Sequence, residues 1–151
     1  MGFSAITRGV LVVSALALSC VAHAETIKPI TPDSDTIKWR DAIGLPKGAK
    51  VAILTGNPEK NEFYVARLKL PANYEVPVHF HPKNEYDTVI SGTYYFGTGD
   101  KADNQEGTAL PSGSFVMFPA KTHHYGWTKE ETVLEISGIG PWGTIHPKKS
   151  A

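Results

Sequence analysis

His79 and His81 stand two residues apart in the run Glu75-Val76-Pro77-Val78-His79-Phe80-His81, and a carboxylate follows at Glu85. In a β-strand, positions i and i+2 share a face, so both imidazoles point one way and Phe80 the other. Pro82-Lys83-Asn84 supplies a turn, after which Glu85 opens a second strand and can lie opposite the two histidines. Three side chains from one hairpin then converge, and imidazole with carboxylate suits one divalent transition metal: Mn, Fe, Ni, Cu or Zn. Buried without such a partner, each polar group would cost roughly 1–3 kcal/mol, and an isolated charge far more. On a solvated face the same cluster would be incidental.

The chain around this cluster reads as short β-rich runs separated by Gly, Pro and Asn, with helix signals nearly absent. Strands are expected over 50–55, 63–70, 74–81, 85–90, 93–97, 114–118, 123–128 and 132–137. The second is the clearest: Tyr64, Ala66, Leu68 and Leu70 share one face, Arg67 and Lys69 the other. Residues 98–109 are polar and read as an exposed loop. Even strand spacing with short turns predicts a sandwich or barrel of the jelly-roll kind. Its core spans about residues 50–138, and 25–46 and the tail from Pro141 serve as arms that cover it or reach a partner.

The stretch H-x-H-x-x-x-E-x-x-x-x-x-x-G, here His79, His81, Glu85 and Gly92, resembles the first motif of the cupin superfamily. The second motif, G-x5-P-x-G-x2-H-x3-N, is similar to Gly113, Pro119, Lys121, His124 and Thr128. Asn73 stands where the first motif opens with glycine, Lys121 replaces the glycine of P-x-G, and Thr128 replaces the final asparagine. The resemblance implies an all-β, single-domain jelly-roll barrel whose metal ligands are His79, His81, Glu85 and His124. Ile139-Gly140-Pro141-Trp142-Gly143 further resembles exported bacterial cupins without an assigned reaction. The usual cupin reactions are dioxygenation, lyase chemistry and isomerisation, and the motifs do not select among them.

Adjacent strand residues face opposite ways, so only one of His123 and His124 can reach the ion. Spacing from Pro119 favours His124, whose face continues through Gly126, small enough to leave space beneath the metal, and Thr128. The opposite face carries His123, Tyr125 and Trp127, a stripe for internal packing or a homodimer seam. Asp87 shares the parity of Glu85 and faces the same interior, as a catalytic acid or base, a partner orienting a ligand histidine, or an acid at the barrel rim. His146 reads as a surface histidine in the tail.

Residues 1–24 read as a secretory signal peptide: Arg8 ahead of the apolar run Gly9 to Val21, then Ala22-His23-Ala24 as the cleavage site. The run is shorter than the roughly 18 residues a membrane span needs. A lipid anchor on Cys20 is disfavoured because the third residue before it is not leucine. Export makes the protein periplasmic or secreted, with no membrane association after cleavage. With the signal set aside, 127 residues remain, carrying 14 basic and 15 acidic side chains and no cysteine. That balance lacks the basic footprint of a nucleic-acid binder. Stability must come from the core and a metal rather than from disulfides. The expected role is a metal-dependent enzyme, of oxygenase or lyase type, acting on a small oxygenated molecule. The alternative is a non-catalytic periplasmic module for a metal or small ligand; a metal-free sugar isomerase or epimerase is disfavoured by the complete ligand set.

Overall fold

The computed structural model describes residues 30–31 and 36–148; the expected signal segment, with Cys20 and its cleavage site, lies outside them. Ten strands form two antiparallel sheets, and no helix occurs among the described residues. In chain order they are β1 Arg40–Asp41, β2 Lys50–Thr55, β3 Phe63–Leu70, β4 Glu75–His79, β5 Glu85–Ser91, β6 Thr93–Thr98, β7 Thr108–Pro111, β8 Phe115–Phe118, β9 His124–Thr128 and β10 Thr132–Ile139. The larger sheet runs β1-β2-β3-β10-β5-β8 and the smaller β4-β9-β6-β7. This is the expected all-β jelly roll.

Period-2 alternation decides which residues fill it. From β3, Tyr64, Ala66, Leu68 and Leu70 are buried, and from β10, Leu134 and Ile136 meet them in register with Leu68 and Ala66. Val89 of β5, Val76 of β4 and Tyr94 of β6 complete the apolar layer between the sheets. The expected strands are present within a residue or two, apart from the 74–81 run, where β4 stops at His79. Two were not expected. β1 is a two-residue bridge to β2, and β7 starts in the last two residues of the expected 98–109 loop and runs to Pro111, pairing Tyr95 with Ala109 and Tyr94 with Leu110. An edge strand needs only one paired side and one covered face, so β7 carries almost no hydrophobic pattern.

The motif departures keep the motif's backbone. Asn73 and Lys121, at two glycine positions, both adopt left-handed φ values of 56° and 65°. Asparagine tolerates this; lysine meets the Cβ–carbonyl crowding of that region. Lys121 is held there because its N–H donates to the His81 carbonyl at 2.8 Å. Thr128 replaces asparagine with a hydroxyl that donates to Pro71 O at 2.6 Å and accepts from Tyr74 N–H at 3.2 Å. It pins the end of β9 to the turn that feeds β4.

Two stability changes follow. Lys121→Gly relieves the left-handed strain but frees the unfolded chain, so a net gain of about 0.5–1 kcal/mol is expected. Thr128→Val leaves the buried Tyr74 N–H without its side-chain acceptor and should cost about 1–3 kcal/mol. Urea unfolding of both, with an unchanged denaturant slope, measures these shifts.

Candidate metal centre

A slip in the alternation of β4 builds the site. Val76 faces the core, and regular parity would next send Val78 inward; instead a bulge between Val76 and His79 in the pairing with β9 shifts the register. Pro77 sits in this bulge, where its missing N–H is harmless. Beyond it His79 and His81 point inward and both are buried, while Phe80 turns out and stacks on His123 at 4.9 Å. On the neighbouring strand His124 pairs in register with His79, and their rings lie 4.2 Å apart.

Each of the three imidazoles uses Nδ1 the same way. His79 Nδ1 meets Pro77 O at 2.8 Å, His124 Nδ1 meets Thr122 O at 2.9 Å, and His81 Nδ1 meets Gly143 O at 2.9 Å. A carbonyl only accepts, so each Nδ1 must carry the proton and donate it. That leaves Nε2 of each ring as the group free to bind a cation. Potential ligand atoms of the three residues all lie within 4.8 Å of one another. His81 Nε2 is buried and lacks a hydrogen-bond partner. A buried nitrogen with no hydrogen bond, facing the Glu85 carboxylate among converging imidazoles, fits a transition-metal ion.

Glu85 lies beside the triad. Its Oε2 makes an ion-pair contact with His81 Nε2 at 3.0 Å and accepts the Trp142 indole N–H at 2.6 Å. Burial opposes its ionisation most strongly, yet His81 and then the other two histidines hold it below the usual carboxylate range. Burial also pulls on His81, but the Glu85 contact and the Gly143 carbonyl outweigh it and raise this ring. His79 lacks such a partner, and burial, then His124 and His81, push it down to about 3. His124 is lowered too, chiefly by burial.

Asp87 faces the same interior, as parity predicts, and is buried with its Oδ1 unpartnered. Burial, then the charge of Glu85, holds its carboxyl well above the normal range. Burial and the same two acids raise Tyr64 and Tyr94. The cavity between these groups is about 20 Å³, lined by the three histidines, Glu85, Asp87 and Tyr94, with Leu45, Trp142 and Thr144 of the two arms also on its wall. It has room for about one water molecule.

One expectation needs correcting, and two others gain detail. The space beneath Gly126 is not empty: a Cβ there would lie 2.2 Å from the Tyr94 hydroxyl, so glycine is required to admit that ring. For Tyr125 and Trp127, the stripe opposite His124 is the internal packing that was one of its two expected roles. Tyr125 and Trp127 are buried beneath residues 97–107, with Tyr125 donating to Asp103 O and Trp127 stacked on Tyr95. His123 remains half-buried beside Asp100, outside the cluster that contains His124. His146 is exposed, yet its two nitrogens contact Val78 O and Gly44 O, so it fastens the tail to both β4 and the N-terminal arm. Trp142 is the site residue that sequence reasoning missed as a functional group. The only signal for it was the Gly-Pro-Trp-Gly run.

Residues 26–139 match the family described as Domain of unknown function (DUF4437). The chain belongs to the DUF4437 family, and its fold is that of the cupins. An RmlC-like cupin from Shewanella frigidimarina is 16% identical with a TM-score of 0.58, covering 81% of this chain and 95% of its own. The polyketide cyclase RemF from Streptomyces resistomycificus is 15% identical, TM-score 0.65, over 80% of this chain and 86% of its own. The DMSP lyase DddQ from Ruegeria pomeroyi is 19% identical, TM-score 0.56, over 71% of this chain and 58% of its own. No curated protein matches this chain. At these identities the likeness establishes the cupin fold, and the chemistry has to be argued from the site.

On this cupin fold the adjacent histidines separate cleanly. Outer partners of metal ligands alone contribute 10–100-fold to affinity, so His124→Ala should weaken metal binding by more than about 100-fold. His123→Ala should leave it within a few-fold, because that ring lies outside the cluster. Metal titration of the two variants checks this.

Proposed function

We propose that this cupin is an exported metal-dependent enzyme, holding one divalent transition metal through His79, His81, His124 and Glu85 and acting on a small oxygenated molecule. The observation that carries the metal assignment is the common tautomer: three backbone carbonyls take three Nδ1 protons and leave three Nε2 groups converging. Glu85 joins as the anionic ligand because it is buried, ionised and adjacent to His81 Nε2. When bound, the ion would supply Lewis-acid or redox chemistry toward a chelating substrate. Asp87 is placed to act as acid or base: it is on the cavity wall, two residues from Glu85, with an oxygen no protein group uses. That two proteins of similar fold are a polyketide cyclase and a DMSP lyase supports catalysis on this scaffold by analogy.

The small volume of the cavity, about 20 Å³, favours a second reading, a non-catalytic metal-binding module. Asp87→Asn distinguishes them. Elemental analysis should give one metal per chain in parent and variant alike. Because intrinsic affinity rises from Mn and Fe towards Cu, a chain that meets its metal after export should carry mixed or late-series ions. Oxygen-uptake and product screens with small hydroxy- and oxo-acids should then show turnover in the parent, falling by roughly 10²–10⁴-fold in the variant. Equal metal content with no turnover in either protein would establish the binding module instead.

A further inference from the structure

The run from Gly140 to His146 is a strap laid across the mouth of the barrel. Gly140 enters it against the 57–62 turn, where any Cβ would lie 2.1 Å from Lys60 O, and its N–H donates to Glu62 O at 2.9 Å. Trp142 N–H donates to Pro58 O at 2.7 Å. Beyond the indole, Ile145 exchanges two backbone hydrogen bonds with Phe80, of 2.9 and 3.0 Å. The strap's backbone is therefore anchored at Gly140, Trp142 and Ile145, and Gly143 O also accepts from His81 Nδ1 at 2.9 Å.

Trp142, Gly143 and Thr144 face two spaces at once. Inward, Trp142 and Thr144 line the 20 Å³ cavity around the histidines. Outward, all three line a groove of about 260 Å³, bounded also by Arg40, Ile43 and Pro58. The wall between a water-sized cavity and a groove that can hold a small organic molecule is thus the Trp142 side chain and its neighbour. The indole is not fixed there by backbone. It stacks on Tyr64 at 5.7 Å and is latched by one hydrogen bond, from Nε1–H to Glu85.

We propose that Trp142 is the gate of this centre, and that a molecule larger than water passes from the outer groove to the histidines only when the indole leaves Glu85. This rests on reading the cluster as a ligand-binding centre. Side-chain rotation suffices, since the backbone of Trp142 stays anchored to Pro58 O while only its indole moves. The latch also ties entry to the site's own chemistry, because the group that releases the indole is the carboxylate beside His81. Trp142 therefore acts as a positioning and size-selecting residue, not a catalytic one.

The test uses metal-free protein, so its outcome is independent of whether the cluster holds a metal. The sole cysteine of the chain is Cys20, and Cys20→Ser in the full chain gives a thiol-free background. Val76→Cys then places a thiol of similar size on the inner cavity wall, and its reaction with 5,5′-dithiobis(2-nitrobenzoic acid) reports access. Losing a hydrogen bond to a charged acceptor should raise opening at least about tenfold, so Trp142→Ala should speed labelling by that factor or more. Trp142→Phe keeps a ring against Tyr64 but lacks the N–H, and should fall between parent and Trp142→Ala. Val89→Cys, buried in β5 away from this cavity, should label slowly in every background. Equal rates at Val76→Cys in parent and Trp142→Ala overturn the proposal. So does an equal rise at Val89→Cys, which would mean that the whole barrel had loosened. Trp142→Phe labelling at the parent rate overturns the latch.

Discussion

Three backbone carbonyls, those of Pro77, Thr122 and Gly143, set the chemistry of this molecule. Each accepts an Nδ1 proton from one buried imidazole, and so each turns an amphoteric ring into a ligand with a lone pair at Nε2. Two of the carbonyls lie two residues before their own histidine, so they need only the local backbone bend. The third reaches His81 from 62 residues further along the chain. The C-terminal arm is therefore part of the centre rather than a cover over it.

Orienting the rings this way has consequences for the rest of the barrel. His79, His81, His124, Glu85 and Asp87 are five polar groups in an otherwise apolar interior, and their mutual arrangement decides which remain charged. Burial opposes the ionisation of Glu85, but His81 and the other two histidines hold it below the usual carboxylate range, whereas burial and the charge of Glu85 hold Asp87 well above it. A buried set only partly satisfied by protein is costly to stability, and it persists where a bound group completes it. The unused His81 Nε2 and Asp87 Oδ1 mark where completion is required.

Much of this was legible in the sequence, because strands write their geometry in alternation. The parity of His79, His81, Glu85 and Asp87 correctly predicts that all four face inward, and the spacing after Pro119 places His124 rather than His123 with them. The bulge at Pro77–Val78 was not legible, since Tyr74 and Val76 share an inward face with His79 only after a one-residue slip. β7 was hidden for the opposite reason: as an edge strand among polar residues it has no pattern to read. Gly126 is small because the Tyr94 ring needs its space, a contact between strands far apart in sequence. The contact of Trp142 with Glu85 bridges 57 residues and leaves no local trace beyond an unusual Gly-Pro-Trp-Gly run.

X-ray absorption at the edge of the bound metal tests the central claim most directly, because it counts ligands by type in the intact protein. The common tautomer and the position of Glu85 predict three imidazole nitrogens, all through Nε2, and one carboxylate oxygen in the first coordination shell, with His81→Ala removing one nitrogen. A shell with fewer than three imidazoles, or a metal coordinated by oxygen alone, would contradict the account.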